Sequence, residues 1–274
     1  MLKTKWIARK RHSKTCISVF FYFKPTADGI TFDIHNMKTY CGANDYKAYN
    51  GVGMFGKISG ATIKNVNNYD VNIKSRLNTG ALVGSGHSST IQNCKVTGLV
   101  TGTAGYIGGL VGDAQYTTIL ECGNEATVKG DYCVGGIVGR AFYSAITNCV
   151  NYGSIEGSYR VGGIVGNATV AITITYCGAK VNVTVAGSTV QPFYSADSGG
   201  TVTCNDSYSL VNNKGTQINR ITATNSGMDG KFGMIPTIHD GLPVPLGIYH
   251  TSQYGTTTGI ASTLKGSQYG CTTA

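Results

Sequence analysis

The chain has 274 residues, a formal net charge of +9, 39 glycines and only 13% charged residues. Seven positive charges (Lys3, Lys5, Arg9, Lys10, Arg11, Lys14, Lys24) lie at or before Lys24, so the rest of the chain carries 15 − 13 = +2. A near-neutral body excludes a nucleic-acid-binding face, which needs Lys and Arg clustered among aromatics. With 13 Asp and Glu, none recurring at a fixed spacing, it also lacks the carboxylate column of a glycan-cleaving β-helix.

Residues 1–28 form a basic and apolar N-terminal segment. Lys3 to Lys14 precede a short apolar run, Cys16 to Phe23, in the order of a signal peptide. The run is too short to span a membrane, and no small-x-small cleavage site precedes Lys24 and Pro25. Two readings stand, an export signal or a misassigned start, and both suit an exported parent protein.

Residues 29–213 repeat. A glycine signature recurs as GMFG ending at Gly56, GALVG at Gly84, GGLVG at Gly112 and GGIVG at Gly139 and Gly166. The period, about 27 to 28 residues, is regular enough to mark stacked units. Within each period an Ile stands three positions before a Cys: Ile91 and Cys94, Ile119 and Cys122, Ile146 and Cys149, Ile174 and Cys177, with Ile63 and Val66 keeping the spacing. Six positions after each Cys comes a β-branched residue, Val100, Val128, Ile155 or Val183, followed in three copies by Gly102, Gly130 or Gly157. The ends are degenerate: Cys204 falls one period after Cys177, and Ile34 and Met37 fall one slightly longer period before Ile63 and Val66.

The units are rich in Val, Ile, Thr, Tyr and Gly, and no 3.6-residue apolar period persists, so helical repeats are excluded. The expected fold is all-β: a parallel, right-handed β-solenoid of about 27–28 residues per coil, with five clear coils and two degenerate ones. Coils would stack in register at about 4.8 Å, Ile on Ile and Val on Val. Gly56, Gly84, Gly112, Gly139 and Gly166 would sit at corners, where a side chain would clash or the backbone needs positive φ. Cys94, Cys122, Cys149, Cys177 and Cys204 form one expected column, read as buried free thiols acting as small hydrophobes. Parallel in-register side chains do not readily reach disulfide torsions.

No catalytic centre emerges. A metallopeptidase needs HExxH, but His12, His35, His87, His239 and His250 are isolated. No CxxC pair or Cys/His cluster suggests zinc, and the glycines from Gly102 to Gly112 that imitate a dinucleotide loop recur in every coil. Asp113, Glu121, Glu125 and Asp131 read as solvated turn residues. The chain is expected to be no enzyme and to hold no cofactor or metal.

Residues 214–249 contain three of the five prolines and read as an irregular final coil or cap over the open sheet edge; residues 250–274 read as a flexible Thr/Ser/Gly-rich tail.

The run from Ala145 to Gly166, AITNCVNYGSIEGSYRVGGIVG, resembles the GLUG-motif repeat of bacterial surface and secreted proteins. The resemblance covers Met54 to Gly187 well and the flanks loosely. It implies a β-solenoid in a large extracellular protein, as in adhesin-like proteins and the non-catalytic parts of some immunoglobulin A-cleaving metallopeptidases. It implies no reaction. The expectation is therefore a rigid module of a secreted or cell-surface protein, part of a longer chain, that binds a glycan or host extracellular protein. The alternative is an accessory segment of a secreted peptidase or polysaccharide-active enzyme whose catalytic domain lies elsewhere. A binding face would use tyrosines in columns: Tyr116 with Tyr143 and Tyr132 with Tyr159, each pair one period apart, with Tyr106 and Arg160 beside the second pair.

Overall fold

The computed structural model describes residues 16–17, 23–25, 32–41, 51–181, 183–184, 193–196, 201–205, 207–211, 232–234, 237, 239, 243–249 and 268–271. Among them there is no α-helix, and the repeat folds as a parallel β-solenoid with three faces. The first face stacks six strands: Phe55–Ser59, Val83–His87, Val111–Gln115, Val138–Phe142, Val165–Ala168 and Tyr194–Ala196. Thr62–Lys64, Thr90–Gln92, Thr118–Leu120, Ala145–Thr147, Ile172–Thr175 and Val202–Asn205 make the second. The third carries the longer strands Val66–Ser75, Lys95–Gly102, Thr127–Gly135 and Ile155–Gly162.

Stacking is in register. Ile63, Ile91, Ile119, Ile146 and Ile174 pair in succession on the second face, and Val100, Val128, Ile155 and Val183 on the third. Ile63, Ile91, Ile119, Ile146 and Ile174 with Val100, Val128 and Ile155 fill the interior, where burying each Ile contributes about 2 kcal/mol. No single coil could bury them, so one coil's core needs its neighbours.

Single residues in the left-handed region turn two of the corners. Between the first and second faces these are Gly60, Ser88, Tyr116, Tyr143 and Ala171, with φ of 61, 48, 50, 46 and 47°. Between the second and third they are Asn65, Asn93, Glu121, Asn148 and Tyr176, with φ from 52 to 58°. Asn is the residue that tolerates this conformation best after glycine, which explains its recurrence before the cysteines. The next residue then closes the corner. Ser89, Thr117 and Ser144 donate their hydroxyls to the carbonyls of His87, Gln115 and Phe142, two residues back. Cys94, Cys122, Cys149 and Cys177 direct their thiols in the same way to Gln92, Leu120, Thr147 and Thr175. The thiol column is thus a corner-closing device as well as apolar filling.

The signature glycines act at the third corner by close approach, not by positive φ. A Cβ on Gly139 would lie 2.4 Å from the Ile107 nitrogen, on Gly112 2.5 Å from Asn78, on Gly84 2.3 Å from the Val52 nitrogen and on Gly166 2.6 Å from Cys133, all backbone atoms. Gly56 is looser, at 3.1 Å from the Gly51 carbonyl. Two further glycines make room for a buried amide ladder that the repeat pattern did not reveal. Cβ atoms on Gly109 and Gly136 would meet the side-chain amides of Asn124 and Asn151 at 2.5 and 2.3 Å. Asn124 Nδ2 donates to Asn151 Oδ1 at 2.8 Å and to the Ala126 carbonyl at 3.1 Å, which satisfies the amide in the interior.

The ends depart from expectation. Cys204 pairs with Ile174, so it stands in the isoleucine column; the coil is longer here, and Ser207 takes the cysteine position, its hydroxyl accepting from the Cys177 amide. Upstream, Ile34 pairs with Asn68 and not with Ile63. Antiparallel strands cover the large sheet at both edges: Cys16–Ile17 on Lys38–Cys41, and Gln268–Cys271 on Ser207–Val211. The second strand falls in the stretch expected to be a flexible tail, so that stretch supplies an edge cover. The expected cap does something else. Phe232–Met234 and Pro243–Pro245 form a small antiparallel pair, and Gly247 to Tyr249 lie against the side of the central coils, beside Asn93 and Gly123. The other bounds at residues 213–214 and 249–250 lie within or beside undescribed segments.

Candidate functional site

The exposed large apolar side chains are Tyr116 and Tyr143 at the corner between the first and second faces, Tyr132 and Tyr159 on the third face, and Phe55 at the start of the first-face stack. Tyr116, Tyr143, Tyr132 and Tyr159 are 50, 45, 38 and 48% exposed, in contrast to the fully buried Ile and Val columns. Register makes them pairs. Tyr132 and Tyr159 face each other on the third face with ring centroids 5.1 Å apart and planes 18° apart. The Arg160 guanidinium lies 5.1 Å from the Tyr159 centroid and 5.8 Å from that of Tyr132. Tyr116 and Tyr143 stack at 5.2 Å with planes 4° apart, at the left-handed corner. Phe142 and His87 meet this pair edgewise. Stacked, partly wet aromatic rings can take a sugar or peptide by dispersion and C–H contact.

Tyr106 has a cation partner of its own. Register aligns it with Cys133, next to Tyr132, and the Arg140 guanidinium covers its ring at 4.1 Å and donates to its hydroxyl at 2.9 Å. Arg140 also grips Asp113 of the preceding coil with two parallel bonds of 2.8 Å. Asp113 is buried, not a solvated turn residue; burial opposes the Arg140 charge, but Asp113 and Tyr106 together outweigh it, so the Arg140 pKa rises.

Glu125 likewise is not a solvated turn residue. It receives Lys95 Nζ at 2.8 Å, His239 Nε2 at 2.9 Å and the Tyr249 hydroxyl. Burial pushes its carboxyl up, but His239, Lys95 and Tyr249 together outweigh burial and bring it down to about 2. Lys95 is buried and lies 4.3 Å from the Tyr249 ring centroid. Ile248 fills the space that Gly123 leaves: a Cβ there would lie 2.6 Å from its Cδ1. This partly buried cluster clasps the Gly247–Tyr249 strap to the coils. Glu121 is nearly buried at a corner, while Asp131 remains exposed.

Cys94, Cys122, Cys149, Cys177 and Cys204 are free and buried. Burial pushes the Cys122 and Cys177 thiols well above their ordinary value, and neighbouring thiols add to it, which makes them poor nucleophiles. Among the described residues no three His, Cys, Asp or Glu side chains converge as a metal site, and no helix is long and apolar enough to cross a membrane.

Residues 130–156 match the family model described as "The GLUG motif". No curated protein matches the chain. A crystal structure described as that of "a putative immunoglobulin A1 protease from Bacteroides ovatus" is similar over 80% of this chain and 87% of that chain, at 16% identity and a TM-score of 0.45. The matched segment runs from Gly130, through the tyrosine-bearing strand and the glycine corner, to the strand that begins the next third face. The chain is thus a parallel β-solenoid, and the stretch 130–156, about one coil of it, carries the GLUG motif.

Proposed function

We propose that the chain is a non-catalytic binding module of a secreted or cell-surface protein, a rigid rod that presents tyrosine pairs to a glycan or an extracellular protein. The observation that carries this reading is the placement of the exposed aromatics. They stand in stacked pairs, one at a left-handed corner and one on the third face, while the interior columns hold Ile and Val. One pair also adopts a backbone conformation that costs a non-glycine residue of order 1 kcal/mol, at positions where other coils use Gly, Ser or Ala. Solubility gains nothing from exposed tyrosine there, and a binding face does.

A glycan and extracellular-matrix array tests the reading. The wild type is expected to retain one or more ligands, and the double substitution Tyr132→Ala with Tyr159→Ala to weaken capture at least about tenfold, the value of losing one to two stacking contacts. Absence of any ligand, or capture indifferent to the tyrosines, would contradict it.

A further inference from the structure

We propose that Tyr143 and Ala171 form the docking position for a neutral pyranose ring, which stacks on the far face of Tyr143 as a third rung above Tyr116. The inference rests on the binding-module reading and names the ligand class for one of its two aromatic pairs.

Gly60, Ser88, Tyr116, Tyr143 and Ala171 occupy one corner column. Backbone bonds fix the alignment: the amides of Gly60, Ser88, Tyr116 and Tyr143 donate to the carbonyls of His87, Gln115, Phe142 and Val170, each the residue before the next column member. The rings of Tyr116 and Tyr143 are almost parallel, one coil apart, so the column has begun a ladder. Ala171 keeps the same left-handed backbone, φ 47°, is exposed, and offers a methyl group where a third ring would lie. The coil rise of about 4.8 Å is the thickness one more ring needs.

The neighbouring rings leave that face open. The Phe142 centroid lies 4.7 Å from Tyr143 and 5.6 Å from Tyr116, and the two tyrosines are 5.2 Å apart. Three such distances make a nearly equilateral triangle, so Phe142 stands beside the pair and not on the far face of Tyr143. His87 meets Tyr116, on the opposite side from Ala171. Phe142 and His87 thus hold the ring planes, while none of these rings lies over Tyr143 toward Ala171.

The chemistry favours a neutral sugar. Gly60, Ser88, Tyr116, Tyr143 and Ala171 bear no formal charge, nor do the flanking Gln115, Phe142, Thr169 and Val170. An aromatic face beside which these described residues place no formal charge selects a ring that presents C–H groups, as a pyranose does.

Titration of lactose, cellotetraose and chitotetraose, followed by amide and aromatic NMR shifts, tests the rung. At least one sugar is expected to shift the corner resonances. Tyr143→Ala, which keeps the left-handed backbone that Ala171 already adopts one coil on, and Ala171→Leu, which fills the rung, are each expected to weaken it at least tenfold. Ala171→Ser should bind like the wild type. The proposal is overturned if none of the three sugars binds, or if Ala171→Leu and Tyr143→Ala both bind as the wild type does. Array capture that depends on Tyr132 and Tyr159 but ignores Tyr143 and Ala171 would sink the rung alone and leave the broader reading intact.

Discussion

At Gly139 a missing side chain decides the fold. The Cβ of any other residue would fall 2.4 Å from the Ile107 nitrogen and 2.6 Å from the Gly112 carbonyl oxygen, and neither can move without shifting a neighbouring coil. Gly139→Val is therefore expected to destabilise the rod by about 3 kcal/mol, read as a lowered thermal midpoint. An unchanged midpoint would contradict the corner geometry. Such glycines were legible in the sequence because a clash repeats wherever the coil repeats. Their mechanism was only half legible, since spacing cannot distinguish close approach from positive φ. The left-handed residues were hidden for the opposite reason: Asn93, Glu121, Asn148 and Tyr176 share a conformation without sharing a side chain. Cys204 shows the limit of counting. The last coil is longer than the others and moves Ser207 into the column, which only hydrogen-bond register reveals.

The elements that depend on distant partners were the least legible. Asp113 and Glu125 read as solvated turn residues because their partners are not local: Arg140 lies 27 residues away, and His239 and Tyr249 lie 114 and 124 residues away. Together these partners convert Glu125 into the anchor of the Gly247–Tyr249 strap. Its carboxyl sits at about 2 in the folded protein against an ordinary 4.5, so its contribution is complete above pH 4.5 and is lost as pH falls toward 2. Strap docking should hold from neutral pH to about 4.5 and loosen below it, by up to about 3 kcal/mol. Hydrogen exchange at the Ile248 and Tyr249 amides, which bond to the Pro245 carbonyl, reads this directly. Protection that persists unchanged to pH 2, or that behaves alike in Glu125→Gln, would remove Glu125 from the role.

For the whole molecule, sequence period and structure agree on the rod, and the ends differ because edge strands obey another rule. A parallel stack leaves unpaired backbone at its first and last coils, and antiparallel strands of unrelated sequence cover the large sheet there. Neither cover repeats, so neither was visible as a period. Between them the account requires a stiff ladder in strict register, because only that holds Tyr116 over Tyr143 and Tyr132 over Tyr159. Lys64, Gln92, Leu120, Thr147 and Thr175 form one continuous row on the second face. Nitroxide labels at Lys64 and Thr175, separated by four rises of about 4.8 Å, should give a single narrow distance near 19 Å by pulsed electron spin resonance. A broad distribution, or a distance well beyond about 25 Å, would contradict the in-register solenoid on which the tyrosine ladders depend.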